Sequence, residues 1–305
     1  MVTGGAGFIG SNLVDRLIEE KHDVVIVDDL STGKEGYLNS QAKFYKADVC
    51  SADLDSVFKK EAPEFAFHLA AQIDVRKSIE DPVADSRINV GGSLNVFKNC
   101  AENKIKKVIF FSTAGVYGDL KAPAREDNPI FFDAPYGVHK YTSEKNLEVL
   151  GQIHGLDYVI FRPANIYGPR QYKGGEGAVV GVFTSNAVSG EESVLYGDGT
   201  QTRDFIYVGD VVEACLKTIN NNVQDVFNIS TGRETSILDL MEAIEKATGE
   251  KFKFREEPKR KGEIERSVLS SLKAKDLLGW GSKVSLEDGI AMTMEWAKQQ
   301  LTKEQ

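Results

Sequence analysis

Three glycines, Gly4, Gly7 and Gly10, stand in G-x-x-G-x-x-G spacing directly behind Met1, Val2 and Thr3 and at the head of an amphipathic stretch. Such a loop between a strand and a helix needs glycine for a tight turn, for close backbone approach to a pyrophosphate and for close helix–strand packing. The helix N-terminus then offers N–H donors and a partial positive charge to an anion. Only three residues precede the loop, fewer than a buried strand usually has. Either the first strand is short or native residues precede Met1. Asp28 closes the next apolar run, 18 residues after Gly10. A carboxylate there accepts both ribose hydroxyls and repels a 2′-phosphate, which favours NAD over NADP. Asp29 is the alternative, as a turn residue or a second ribose contact. Asp48, in KADV, is open between an adenine contact and a helix N-terminal acid.

The glycine loop starts a repeating pattern. Apolar runs at Val24–Val27, Ala66–Leu69, Val108–Phe111 and Tyr158–Phe161 read as strands. Helical periodicity fills about 11–20, 52–61, 83–103 and 136–154. This alternation predicts an α/β fold, a Rossmann-type doubly wound parallel sheet with helices on both faces. After Arg162 and Pro163 the texture becomes Gly-rich, and a boundary near residue 164 is expected. Residues 1–164 then form the dinucleotide-binding part, joined by elements returning from about 203–231. Residues 165–305 form mainly a smaller α/β part with a cleft between the two. Arg203–Val208 reads as a strand. Ser236 opens a capping box, S-I-L-D, with a helix of about twelve residues to follow. Ser285 opens another, with a helix to about residue 300.

Composition sets the limits. The chain has 305 residues, 41% of them apolar, and a net charge of −9. No run approaches the roughly 18 apolar residues of a membrane span. The acidic balance argues against nucleic acid and anionic lipid as partners. Cys50, Cys100 and Cys215 are odd in number, widely spaced and without a C-x-x-C. Neither a disulfide framework nor a metal site is expected. The opening MVTGGAGFIG has neither a basic nor an apolar leader, so a cytoplasmic location is the default.

The spacing Y-x-x-x-K occurs at Tyr117/Lys121, Tyr136/Lys140 and Tyr141/Lys145. Position separates them. Tyr136 follows Pro135 at a helix start, and Lys140 lies one turn on, on the same face. Tyr141 points about 140° away around that helix. Tyr117, in a Gly-Val-Tyr-Gly turn, reads as a residue lining or closing a pocket. A free tyrosine titrates near 10. An adjacent ammonium, and a nicotinamide cation, favour its phenolate and make it a general base. A hydroxyl from Ser112 or Thr113 is placed to share the substrate proton.

GGAGFIG, VDDLSTG, HLAAQ, FSTAGVYG, PYGVHK, RPANIYGPRQ and GDGTQTRDFIYVGDVV stand in this order over essentially the whole chain. Together they resemble the extended short-chain dehydrogenase/reductase family, and within it the nucleotide-sugar epimerases. The resemblance implies tightly held NAD. It implies cofactor contacts from Gly4, Gly7, Phe8, Ile9, Gly10, Asp28, Asp48, Val49, Leu69, Ala70, Ala71, Asn89, Ser112, Tyr136 and Lys140. It implies a catalytic Thr113–Tyr136–Lys140 set. On the substrate side it implies Asn165 and Arg203 at the diphosphate, and Arg260 and Glu263 at phosphate and uridine ribose. Glu263 stands where an Asp is usual. Ser267 matches a gate position, where a small residue leaves room for N-acetylated hexoses. The implied reaction is C4 epimerisation of a UDP-sugar, UDP-glucose with UDP-galactose, through a 4-keto intermediate, by a homodimer. Ala114 and Gly115 follow Thr113 where the related 4,6-dehydratases carry Asp-Glu, and the sugar-acid decarboxylases usually carry Glu in this stretch. A dehydratase, a decarboxylase, a dehydrogenase or reductase, and a non-catalytic NAD-binding protein are the alternatives. No role is expected for His68, His139 or His154.

Overall fold

The computed structural model describes residues 1–119, 123–171, 179–259 and 264–304. Six strands of the first half are β1 (Val2–Thr3), β2 (Val25–Asp28), β3 (Lys43–Lys46), β4 (Phe65–His68), β5 (Lys107–Phe111) and β6 (Asp157–Pro163). A seventh, Asp225–Ile229, comes from the second half. All are parallel, in the order β3-β2-β1-β4-β5-β6 and then Asp225–Ile229. Connections reverse direction between β1 and β4, which is where open α/β sheets bind ligands. β1 is only two residues long but is flanked on both sides, Val2 pairing with Ile26 and Phe67.

The helices of the first half are α1 (Phe8–Glu19), α2 (Leu54–Glu61), α3 (Val75–Glu80), α4 (Pro82–Ser86), α5 (Ser93–Glu102) and α6 (Pro135–His154). On one face of the sheet, Leu13 and Leu17 of α1 pack with Val211, Ala214 and Cys215 of helix Val208–Ile219. On the other, Leu54, Phe58, Phe97, Cys100 and Leu147 cover Val108, Phe110 and Ile160. Each such side chain contributes about 1.5–3 kcal/mol on burial. A third cluster, including Phe183, Phe205, Leu240, Ile244 and Met294, forms the core of the second half.

Several sequence expectations change. The glycine loop leads straight into α1, which begins at Phe8 rather than residue 11. β3 carries lysines at both ends and is half-exposed, an edge strand without the apolar run of its neighbours. The helix expected over 83–103 is interrupted by a π-helical stretch, Arg87–Gly92, between α4 and α5. There the Asn89 carbonyl accepts from the hydroxyls of Ser93 and Ser143 rather than from a standard helical N–H alone. Cys50 is half-buried, whereas Cys100 and Cys215 are fully buried; all three are free thiols. The Ser236 capping box and its twelve-residue helix form as expected.

The strand expected over Arg203–Val208 is split. Thr202–Arg203 pairs antiparallel with Thr235–Ser236, and Phe205–Tyr207 pairs parallel with Asn165–Tyr167. Asp204 lies between them, wholly buried. Its carboxylate accepts from the Thr231 N–H (2.9 Å), the Thr231 hydroxyl (2.7 Å) and the Gly232 N–H (3.0 Å), and more distantly from Leu269 N–H. Burial raises its pKa, and these donors oppose the rise. Asp204→Ala leaves several buried donors unpaired, each worth about 1–3 kcal/mol. The expected loss is about 3–5 kcal/mol, read as a lowered thermal midpoint at fixed NAD concentration; an unchanged midpoint contradicts this role.

Candidate active site

The glycine loop lies at the point where the sheet reverses. Gly4 has φ +73°, and a Cβ on it would stand 2.7 Å from the Ala70 nitrogen. A Cβ on Gly10 would stand 2.1 Å from the Gly4 oxygen, and one on Gly7 3.2 Å from the same atom. No side chain caps α1 at Gly7. Phe8 and Ile9 pack against the core below, so their backbone N–H groups belong to an uncapped first turn. The carboxylate of Asp28 sits beside this loop. One oxygen accepts from Ala6 N–H (2.9 Å) and the other from Leu30 N–H (2.8 Å). Burial raises its pKa, with both donors opposing. Each oxygen keeps a further acceptor site for a ribose hydroxyl. Asp29 instead holds the exposed Ser31 turn. A bare helix end, a cradle that any Cβ would fill and a carboxylate one strand away together fit a dinucleotide.

Asp48 is half-buried and accepts from Cys50 N–H at 2.8 Å, which fixes the turn after β3, while Val49 is buried beside Gly92. Leu69, Ala70 and Ala71 leave the end of β4 next to Gly4, with Leu69 N–H donating to the Thr3 carbonyl. Asn89 is fully buried and acts on this segment. Its oxygen accepts from Gln72 N–H, and its amide nitrogen donates to Gln72 O and to Asp85. It holds the loop in place, and its amide is used up in doing so.

Thr113 and Tyr136 are brought together, and Lys140 lies one turn further along α6. The Thr113 hydroxyl is hydrogen-bonded to Tyr136 and accepts from Gly115 N–H at 3.0 Å. α6 comes close because a Cβ on Gly137 would stand 2.9 Å from the Gly115 oxygen. Lys140 is 2% exposed, with Nζ 4.3 Å from the centre of the Phe110 ring. Burial pulls its pKa down to about 7, opposed by the charges of Glu144 and Asp85. Tyr136 departs from expectation. Burial pushes it up to about 12; the Thr113 hydrogen bond opposes this and Asp85 adds to it. Desolvation outweighs neighbouring charge in the protein alone.

Other residues move from their expected places. The Ser112 hydroxyl turns inward and donates to the buried carboxylate of Glu144. Tyr117 does not line a pocket. It is buried, accepts from Arg162 Nη1 (2.9 Å) and donates to Asn228 Oδ1 (2.7 Å). His68 is buried between Thr3 and Ser93, its pKa lowered to about 3 by burial and by the charge of Lys140. His139 pairs with Asp85, which also accepts from Gln72 Nε2. Sequence reasoning missed Glu144, Arg162, Asp85 and Gln72. The available signal was spacing: Glu144 is four residues past Lys140 and so on the same helical face.

On the substrate side, Asn165 starts a strand in register with Phe205, and its backbone N–H donates to Asp204 O. Arg203 Nη1 donates to the carbonyls of Thr202 and Ile264, both at 2.8 Å. Ser267 N–H donates to Thr202 O at 3.2 Å. Asn165, Arg203 and Ser267 thus come from adjacent backbones. Arg260 and Glu263 lie outside the described residues. Among the described residues, no group of three or more His, Cys, Asp or Glu side chains is arranged to hold a metal.

The sequence profile of the NAD dependent epimerase/dehydratase family matches residues 1–230. The UDP-glucose 4-epimerase of Mycolicibacterium smegmatis is 40% identical over 304 residues, 97% of each chain. The solved UDP-glucose 4-epimerase of Thermotoga maritima with UDP-glucose superposes with a TM-score of 0.95 at 42% identity, covering 98% of each chain. That of Thermus thermophilus in complex with NAD gives 0.93 at 36% identity, covering 97% of this chain and 98% of the other. The matched span takes in the glycine loop, Asp28 and the Tyr136–Lys140 helix, and the likeness runs on through the second half: the chain belongs to the NAD-dependent epimerase/dehydratase family.

Proposed function

We propose that this NAD-dependent nucleotide-sugar 4-epimerase interconverts UDP-glucose and UDP-galactose, with N-acetylated UDP-hexoses also admitted, and so serves galactose metabolism. The observation that carries the reading is the pairing of Thr113 with Tyr136, one helical turn before buried Lys140, in a chain whose glycine loop leaves a cradle for a dinucleotide. Gly4, Gly7, Gly10 and Asp28 would hold the cofactor, with Asp48, Val49 and the Leu69–Ala71 segment along its edge. When bound, NAD supplies the acceptor and donor of the C4 hydride, so that the sugar passes through a 4-keto form.

Tyr136 takes the proton from the C4 hydroxyl and gives it back. Its pKa of about 12 in the protein alone must fall for this. The Lys140 ammonium and a cofactor cation both act in that direction. Thr113 holds the phenol oxygen in line. Ala114 and Gly115 leave no acid beside Thr113 to expel a hydroxyl, which supports epimerisation over dehydration or decarboxylation. Arg203 and Asn165, with Arg260 and Glu263, anchor the nucleotide diphosphate while the sugar turns; Arg donors suit this in an acidic protein.

Residues 1–164 with 203–231 form the cofactor-binding unit in this reading, and the remainder of 165–305 the substrate-binding unit. The place of Asp225–Ile229 in the main sheet supports that division. The functional unit is a homodimer. α6 presents Val138, Val149 and Ile153 (68% exposed) at helical spacing, and Val83 of α4 is 78% exposed. A second copy of the same surface covers such a patch. Three free thiols fit a cytoplasmic location, and no described helix is long and apolar enough to cross a membrane.

Proton NMR of UDP-glucose with the purified protein in D₂O, without added cofactor, tests the reaction. UDP-galactose without solvent deuterium is expected; a deuterated keto-deoxy sugar means dehydration instead. Tyr136→Phe is expected to lower kcat by about 10³-fold with NAD content unchanged. Activity within about tenfold of wild type removes Tyr136 as the base. Ser267→Tyr is expected to abolish turnover of UDP-N-acetylglucosamine while UDP-glucose turnover stays within about threefold; retained N-acetylhexosamine activity defeats the gate assignment. Val149→Asp with Ile153→Asp is expected to halve the mass seen in sedimentation; an unchanged mass rejects this face as the dimer contact.

A further inference from the structure

Beneath the catalytic set lies a buried ion pair that the mechanism above does not use. Glu144 and Arg162 are both buried. Arg162 grips the carboxylate with two donors, Nε to Oε1 at 3.0 Å and Nη2 to Oε2 at 2.6 Å. Oε1 also accepts the Ser112 hydroxyl. Ser112 directly precedes Thr113, and Glu144 follows Lys140 by one turn of α6. One carboxylate therefore joins the end of β5, the catalytic helix and the end of β6. A buried pair of this kind adds little net stability, because desolvation offsets its attraction. Its geometry calls for another use.

We propose that Glu144 is a positioning residue for the epimerisation: through Ser112 it sets Thr113 against Tyr136, and it stands below Lys140 as that amine's counter-charge. The proposal rests on the reading of Tyr136 and Lys140 given above. The groups facing Lys140 are few. Glu144 and Tyr136 lie on its own helix, Asp85 comes from α4, His68 from β4, and the Phe110 ring closes β5. Arg162 stands behind Glu144, from β6. His68 is neutral, so Glu144 and Asp85 are the charges that oppose the burial of the ammonium. Asp85 is shared among His139, Gln72 and Asn89. Among the described residues, Glu144 accepts from Arg162 and Ser112. Burial disfavours Arg162's charge, but its hydrogen bonds to Glu144, the attraction of that carboxylate and the contact with Tyr117 together outweigh it and raise its pKa, so Arg162 stays charged. Without Glu144, Lys140 loses a nearby negative charge and deprotonates at lower pH, which in turn withdraws the cation that Tyr136 needs.

The test follows the Lys140 Cε chemical shift against pH by NMR, assigned by difference from Lys140→Met, in the NAD-loaded protein. Glu144→Gln is expected to lower the Lys140 pKa by about one unit or more. The alkaline limb of the kcat profile should move by the same amount, with NAD content unchanged. Glu144→Gln leaves Arg162 buried without its counter-charge, which costs stability. The double variant Glu144→Gln/Arg162→Met removes both charges, and the same direction of shift is expected of it. Ser112→Ala keeps the ion pair. It is expected to lower kcat about tenfold with KM and the Lys140 titration unmoved. A Lys140 pKa within about 0.3 units of wild type in the Glu144 variants overturns the counter-charge role, as does a titration shift without a moved kcat limb. A raised KM at wild-type kcat in Ser112→Ala overturns the link to Thr113. Because the titration needs no turnover, it reads Glu144 even if UDP-glucose proves not to be a substrate.

Discussion

Gly10 stands where a methyl group would lie 2.1 Å from the Gly4 carbonyl oxygen, and Gly4 where one would meet the backbone of Ala70. These contacts leave no room for side chains, and they bring the ends of β1, β4 and α1 to one point. Every site element is placed relative to it. Asp28 arrives from β2, the Leu69–Ala71 segment from β4, and Thr113 from the neighbouring β5. A two-residue β1 suffices because it is paired on both edges and its end is fixed by glycine contacts rather than by length. Asn89 extends the same constraint. Its amide fastens Gln72, so the segment crossing Gly4 is held from behind.

Lys140 and Tyr136 show burial and charge in competition. Lys140 is almost fully enclosed, and desolvation brings its pKa to about 7. Tyr136 is raised to about 12 by the same effect. In the protein alone each group is therefore biased toward its neutral form. A base that stays protonated until a cation approaches is protected from idle ionisation. Local carboxylates keep the amine near the point where it can still carry charge. The acidic overall charge of the chain is irrelevant at this distance; the placement of Asp85 and Glu144 is what acts.

Much of this was legible in the sequence. The close approach at Gly4 and Gly10, and an acid at the end of β2, could be read because tight backbone packing demands glycine and the apolar run ends at Asp28. Tyr136 could be placed at a helix start, with Lys140 one turn on, because Pro135 precedes it between two strands. What escaped was set by tertiary partners. β3 has no apolar run because it is an edge strand. The Arg203–Val208 run has strand composition, but Asp204 inside it is claimed by Thr231, Gly232 and Leu269, and this breaks the strand. Tyr117 and Ser112 look like pocket residues in a turn beside Thr113. Both face inward because Arg162 and Glu144, distant in sequence, lie beneath them. The same cause hid Glu144, whose spacing from Lys140 gives a face and not a partner.

The inward-facing residues also connect the two halves of the site. From Glu144 the chain of hydrogen bonds runs through Arg162 and Tyr117 to Asn228, whose amide donates to Ala124 O (2.9 Å) and Ser270 O (3.3 Å). Ser230 donates to Leu269 O, and Leu269 N–H reaches Asp204, the neighbour of Arg203. Tyr136 and Arg203 are therefore referenced to one buried scaffold although they come from different parts of the chain. A 4-keto sugar that must turn over between hydride removal and return requires this. In the proposed reaction the nucleotide anchor and the base keep their separation while only the sugar moves. A scaffold of satisfied buried hydrogen bonds has few alternative arrangements, since each rearrangement would leave a donor or acceptor unpaired. Rigidity beneath the site is thus the condition for mobility within it.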